Sequence, residues 1–262
     1  MQLTTFDGTT LYVETYGNLN DEPVMLIHGL GADHTMWAPQ IETLPKQGFF
    51  LVVPDVRGHG QSDPVETFDL ADCARDIAAV LDHLKIDRAH LIGMSMGGVI
   101  VQQFASDFPK RVDRLVICDS FSEVRTLLEK IGGWSNWLTL KVWPSLFTYA
   151  LKRAYGKPHM ARARRYFDEA FRRMDPKQTA KARAAINHID LLDRLEAVEA
   201  PALVLVGDQF GAFALGMARK TAAALPNAEF RVLEGGADPS NLTVPAQFDR
   251  AVLAFLTRES EG

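Results

Sequence analysis

Cysteine is nearly missing from this chain: there are two in 262 residues, Cys73 and Cys118. One falls in a helix-like stretch and the other in a strand-like one. No disulfide framework is therefore expected, and a reducing, cytoplasmic compartment is the simpler expectation. Long apolar runs are missing too. No stretch approaches the ~18 residues that cross a bilayer, so no membrane span is expected. The opening Met1-Gln2-Leu3-Thr4-Thr5-Phe6-Asp7-Gly8 has neither a basic lead nor an apolar run, so no signal peptide is expected. Positive charge is not in excess: the formal net charge is −5, which gives no footprint for nucleic acid. The seven histidines are scattered, and no Cys/His spacing matches a zinc set. Gly-X-Gly-X-X-Gly and phosphate-loop patterns are also missing, so neither a metal nor a cofactor is implied. No internal repeat or low-complexity segment occurs. What remains is 47% hydrophobic and 23% charged. That suits a full core in one large α/β domain, or in one with a helical insertion.

The most informative stretch is Leu91-Ile92-Gly93-Met94-Ser95-Met96-Gly97-Gly98. An apolar run leads into Gly-X-Ser-X-Gly, and Val99-Ile100-Val101-Gln102-Gln103-Phe104 then opens a helix. A serine in this setting sits on a strained strand-to-helix turn. Side chains two residues to either side would collide with the neighbouring strand or helix, hence the glycines. The turn raises the hydroxyl above the sheet and points helix N–H groups at whatever binds there.

Around this turn the chain alternates strands and helices. Gln2–Phe6 and Leu11–Tyr16 read as a hairpin turning at Asp7-Gly8. Pro23–Ile27, Phe49–Val53 and Val112–Cys118 are short apolar runs, as expected of strands buried on both faces, and Pro201–Asp208 reads as another buried strand. Ala228–Leu233 reads as the last strand. Met36–Lys46, Asp69–Leu84 and Pro245–Thr257 read as helices, the second with Leu70, Cys73, Ile77, Val80, Leu81 and Leu84 on one stripe. In Pro54-Asp55-Val56-Arg57-Gly58-His59, the charged groups Asp55, Arg57 and His59 are expected to pair with one another. From about residue 121 to 198 strand alternation stops. Trp134, Trp137 and Trp143 mark an aromatic half, and an arginine-rich half follows with Arg162, Arg164, Arg165, Arg172, Arg173 and Arg183, read as solvated helix faces.

Four segments together resemble the α/β-hydrolase superfamily, especially small bacterial carboxylesterases, enol-lactonases and cofactor-free haloperoxidases. They are His28-Gly29-Leu30-Gly31, Asp55-Val56-Arg57-Gly58-His59-Gly60-Gln61-Ser62, Gly93–Gly98 and Val206-Gly207-Asp208. The resemblance runs from residue 2 to about 257. It implies a mostly parallel twisted sheet with helices on both faces and a helical cap inserted after the sixth strand. Residues 1–120 and 199–262 would form the core domain and 121–198 the cap. It further implies that Ser95 is the nucleophile, that the N–H groups of Leu30 and Met96 form an oxyanion hole, and that His28 is a structural hydrogen-bonder. Gly29, Phe210, Trp134 and Trp137 are expected to line the pocket. The tryptophans have a second reading as the cap's own core.

The resemblance breaks at two places. The family's triad acid should follow Val206-Gly207-Asp208, where this chain has Phe210. Its histidine should follow the last strand, where this chain reads Gly235-Gly236-Ala237-Asp238, and no histidine lies beyond His188. A serine hydroxyl needs a base. Four rescues stay open: His59 or His188 reaching Ser95 from elsewhere, Asp119 as a relocated acid, and Asp238 itself as base, its pKa raised by an apolar pocket that Phe210 helps to make. Otherwise Asp238 merely caps the turn before Pro239. The expectation is a hydrolase or related lyase acting on a small apolar carbonyl compound through Ser95 and Asp238. The alternatives are a non-catalytic ligand-binding protein on the same fold, or an esterase scaffold with its acid and base replaced.

Overall fold

The computed structural model describes residues 1–258, apart from the side chains of Leu128, Pro144, Phe147, Thr148, Leu151 and Lys152. Its frame is an eight-stranded sheet in the order β1-β2-β4-β3-β5-β6-β7-β8. The strands are β1 Gln2–Thr4, β2 Thr10–Tyr16, β3 Glu22–Ile27, β4 Phe49–Pro54, β5 Ala89–Met94, β6 Val112–Cys118, β7 Ala202–Gly207 and β8 Ala228–Leu233. The β1–β2 and β2–β4 pairings are antiparallel and every other pairing is parallel. Ile27 pairs with Gly93, Met94 with Cys118 and Cys118 with Leu205. That register brings the loops leaving β3, β5, β6 and β7 to one edge of the sheet, the edge where open α/β sheets bind ligands.

The apolar runs are continuous because both faces of the sheet are covered. Successive residues point to opposite faces, so Met25 and Ile27 join one core layer and Val24 and Leu26 the other. The first layer packs helices α2 Leu70–His83, α3 Met96–Asp107 and α8 Gly211–Ala224 through Ile77, Phe104 and Ala218. The second holds Trp37 beside α1 Ala38–Thr43 and Phe248, Val252 and Phe255 of α10 Pro245–Leu256. Asp69 caps α2, accepting from the Ala71 N–H at 2.7 Å. The stretch expected to be one helix over Met36–Lys46 is instead a 3₁₀ turn, the short α1 and a second 3₁₀ turn. Pro39 and Pro45 stand second in the latter two, inside the first turn, where proline is tolerated because no N–H is needed. Nor do Asp55, Arg57 and His59 pair with one another through their side chains. Asp55 holds His34 (2.9 Å), Arg57 forks onto Asp76 (2.6 Å twice), and His59 Nδ1 contacts the Arg57 carbonyl (3.2 Å).

Four helices are inserted between β6 and β7: α4 Leu127–Val142, α5 Pro144–Ala154, α6 Ala161–Arg173 and α7 Pro176–Ile186. Thr126 and Glu129 form a capping box at the start of α4, and Asp175 caps α7 ahead of Pro176. The insertion is tied down by Arg173, which donates to Asp33 (2.7 Å), and by the Gln178 amide, which pairs with the backbone of Val65. A four-residue helix, α9 Ser240–Thr243, follows β8. Among the described residues no helix is long and apolar enough to cross a membrane. Cys73 and Cys118 are both buried and form no disulfide.

Candidate active site

Ser95 stands between β5 and α3 with φ 53° and ψ −113°, a left-handed conformation that a non-glycine residue adopts only when its surroundings impose it. The surroundings do so through backbone packing. A Cβ on Gly93 would lie 2.3 Å from the Gly97 carbonyl oxygen, and one on Gly97 would lie 2.0 Å from that of Ile27. The Ser95 N–H donates to the Cys118 carbonyl (2.8 Å), and the Ser120 hydroxyl donates to the Ser95 carbonyl (2.8 Å). The hydroxyl is thus held up at the sheet edge. Gly29 lies alongside: a Cβ there would be 3.4 Å from Ser95 Cβ. Met96 is the first residue of α3, so its N–H has no intrahelical acceptor.

His28 anchors the loop after β3. Its Nε2 accepts from the Val56 N–H (2.9 Å) and its Nδ1 donates to the Gly29 carbonyl (2.8 Å). Burial pushes its pKa down, so the ring is neutral and fully used in holding two loops together. His59 is also buried, with its pKa pushed down to about 4 by burial and by the neighbouring His28. His188 is exposed and packs edge-on against Trp134, 5.7 Å between ring centroids. Neither His59 nor His188 lines the cavity above Ser95.

Two carboxyls come to the serine instead. Asp119, just past β6, is buried with φ 49°. It accepts from the N–H of Gly207 (2.9 Å), the N–H of Ser240 (2.7 Å) and the Ser240 hydroxyl (3.1 Å). Asp238, in the loop after β8, lines the same cavity as Ser95, whose hydroxyl favours the ionised form of its carboxyl. The N–H groups of its turn go elsewhere: that of Ser240 to Asp119 (2.7 Å) and those of Leu242 and Thr243 to the Pro239 carbonyl (both 3.1 Å). Burial pushes both carboxyls up, Asp238 well above the ordinary range, and the charge of Asp119 pushes Asp238 further. The donors decide which of the two holds the proton. Two N–H groups and a hydroxyl stabilise the charge on Asp119, whereas Asp238 has only the Ser95 hydroxyl. The charge therefore sits on Asp119 and the shared proton on Asp238.

The loops that carry Phe210 and Asp238 are braced against each other through their backbones. A Cβ on Gly207 would lie 2.3 Å from the Gly236 carbonyl. Asp208 accepts from the Gly235 N–H (2.9 Å), and the Gln209 N–H donates to Gly236 (2.8 Å). Phe210 occupies the rim, 45% exposed.

Above Ser95 opens a cavity of about 690 Å³. Gly29, Leu30, Ser95, Phe210 and Asp238 all line it, as does Asp119. Trp134 and Trp137 do not. The face of α4 that meets the cavity is Gly132, Ser135, Asn136 and Thr139, spaced three and four apart, and the tryptophans lie between those positions. Trp134 is 41% exposed and packs on the half-buried Trp137 at 5.2 Å. Residues that sequence reasoning did not bring to the cavity are Phe121, Asn136, Tyr155 and Arg183. Tyr155 donates to the Asp238 carbonyl (2.6 Å) and stacks on Phe167, fastening the insertion to the Asp238 loop. Among the described residues, no three His, Cys, Asp or Glu side chains gather closely enough to hold a metal ion.

The family model for the alpha/beta hydrolase fold matches residues 22–243. This chain belongs to that family. It is 29% identical over 264 residues to a Variovorax paradoxus protein named as a carbamate hydrolase (RutD), covering 95% of this chain and 97% of that one. Among solved structures it is similar to the enol-lactonase from Burkholderia xenovorans, with a TM-score of 0.85 at 25% identity, covering 98% of this chain and 100% of that chain. An esterase from Exiguobacterium antarcticum shares the fold at a TM-score of 0.91 and 21% identity, over 98% of this chain and 99% of that chain. Within the alpha/beta hydrolase family, then, this member has Ser95, Asp119 and Asp238 lining one cavity.

Proposed function

We propose that the protein is a serine hydrolase that cleaves a small carbonyl compound, an ester or lactone, with Ser95 as nucleophile and Asp238 as the group that moves its proton. The single observation that carries this reading is that Ser95 and Asp238 line the same 690 Å³ cavity, with the Ser95 hydroxyl favouring the ionised Asp238 carboxyl. The names of the relatives, a carbamate hydrolase and an enol-lactonase, support a small carbonyl substrate.

As Ser95 Oγ bonds to the carbonyl carbon, ionised Asp238 takes the hydroxyl proton. The Leu30 and Met96 N–H groups hold the oxyanion. Asp238 then returns the proton to the leaving alkoxide. A water attacks the acyl-serine, giving its proton to Asp238, which hands it to the departing Ser95 oxygen. An ordinary carboxylate is a poor base for serine. Burial and the nearby Asp119 make Asp238 a stronger one, at the cost that only its ionised fraction works. Residues 121–198 act as the cap over a core of residues 1–120 and 199–262. Neither nucleic acid, membrane nor cofactor takes part, and a cytoplasmic setting suits two unpaired buried thiols.

Hydrolysis of a short-chain aryl ester tests this. Turnover is expected to fall by at least ~10³-fold in Ser95→Ala. A second reading, ligand binding without turnover, draws on the lack of any histidine in the cavity wall among the described residues. Absent or serine-independent hydrolysis alongside measurable affinity for a carbonyl ligand would favour it.

A further inference from the structure

Arg183, on α7, lines the cavity that holds Ser95 and also borders a second chamber of about 380 Å³. Its Nε is buried and has no hydrogen-bond partner among the described residues. Burial alone pushes its pKa down to about 10, with no acidic neighbour opposing the shift. Glu129 lines the second chamber, but its carboxylate accepts from the N–H groups of Arg125 (2.8 Å) and Thr126 (2.7 Å). The guanidinium is not alone in lacking partners. Asn187, the residue that closes α7, is buried with both side-chain polar atoms unpaired, and Asn136 Oδ1 on α4 is buried and unpaired too. Gly133 makes room for them: a Cβ there would lie 2.4 Å from Asn187 Oδ1 and 3.2 Å from Arg183 Nη2.

Holding a desolvated cation without a counter-charge is costly, and a bound anion removes that cost. The planar fork of arginine fits a carboxylate with two parallel hydrogen bonds. The rest of the cavity favours a single negative charge, because Asp119 and Asp238 already line it and one cation would have to offset a dianion such as phosphate. We propose that Arg183 binds a carboxylate of the substrate. The substrate is then an ester or lactone carrying a free carboxylate away from the scissile carbonyl, such as a half-ester of a short dicarboxylic acid. Placing the carbonyl at Ser95 rests on the hydrolase reading above; the carboxylate site does not.

The two are separated by measuring binding to the turnover-blocked Ser95→Ala protein. Calorimetry compares the monoethyl esters of succinate, glutarate and adipate with their diethyl counterparts. At least one half-ester is expected to bind ~10-fold or more tighter than its diester, the effect of one charge-assisted contact. Adding Arg183→Gln should bring that ratio to near one, and Arg183→Lys should restore part of it. Thermal unfolding checks that each variant is folded. Equal binding of half-ester and diester at every length, or a preference that survives Arg183→Gln, would overturn the proposal. Hydrolysis of the diesters by wild type is followed in parallel. A carboxylate preference without Ser95-dependent hydrolysis keeps the site and removes the hydrolase reading, and the reverse pattern removes the site alone.

Discussion

Arg57 and Arg183 are both withdrawn from water, one in the loop after β4 and one in the wall of the inserted helices. Arg57 forks onto Asp76 with two bonds of 2.6 Å and adds Asp7 at 2.9 Å. Arg183 has no such partner among the described residues. The carboxyls repeat the contrast: Asp119 is held by three donors from β7 and α9, while Asp238 meets one hydroxyl, that of Ser95. Buried polar groups that are fully paired keep loops in place. Arg183 and Asp238, which are left short of partners, both line the cavity, where a ligand or a reacting group can complete them.

The contrast can be broken by substitution, with effects that differ in sign as well as size. Arg57→Met is expected to cost about 3–5 kcal/mol in urea unfolding, because it strands the Asp76 carboxylate. A loss under ~1 kcal/mol would mean the pairing is not what holds the β4 loop. Asp238→Asn is expected to act through pH. Asp238 binds its proton more tightly folded than unfolded, so wild type loses stability as pH rises from the ordinary carboxylate range, near 3.9, through the raised value. Each unit of elevation is worth about 1.4 kcal/mol. The variant lacks this slope, so its advantage should open with rising pH and close near pH 3; parallel curves would deny the elevation. Arg183→Met should raise stability by ~1 kcal/mol or more in the absence of ligand, the opposite sign to Arg57→Met. A destabilised variant would show that the guanidinium has a partner. Trp134→Ala, on the outer side of α4, should cost less than ~1 kcal/mol and leave ester turnover within about twofold. A tenfold fall in turnover would return the tryptophan to the cavity wall.

What the sequence made legible is what backbone sterics enforce. Gly93 and Gly97 are required because the strand, turn and helix touch through main-chain atoms, and no choice of side chains relieves that contact. The strands were readable because residues buried on both faces leave long apolar runs. The inserted helices were not readable in the same way. Hydrophobicity indicates that a side chain prefers company, not which neighbour provides it. The cavity took the small and polar stripe Gly132, Ser135, Asn136 and Thr139, while Trp134 packed on Trp137 and His188. Arg183 was indistinguishable from Arg162, Arg164 and Arg165, which are exposed on α6, because composition carries no record of which arginine lacks an acid. Asp238 was the intermediate case. Its place after the last strand was visible, but the burial and the charge of Asp119 that raise its pKa, and the Ser95 hydroxyl that opposes them, depend on three loops meeting.

The most direct test of the account is the pH profile of aryl-ester hydrolysis by wild type, Ser95→Ala and Asp238→Asn. The account predicts Ser95-dependent turnover that rises with pH through a carboxyl pKa well above the ordinary range. It also predicts that Asp238→Asn loses that rise together with ~10²–10⁴ of the rate. Turnover that persists in Ser95→Ala, or a rate and profile that Asp238→Asn leaves unaltered, would contradict it.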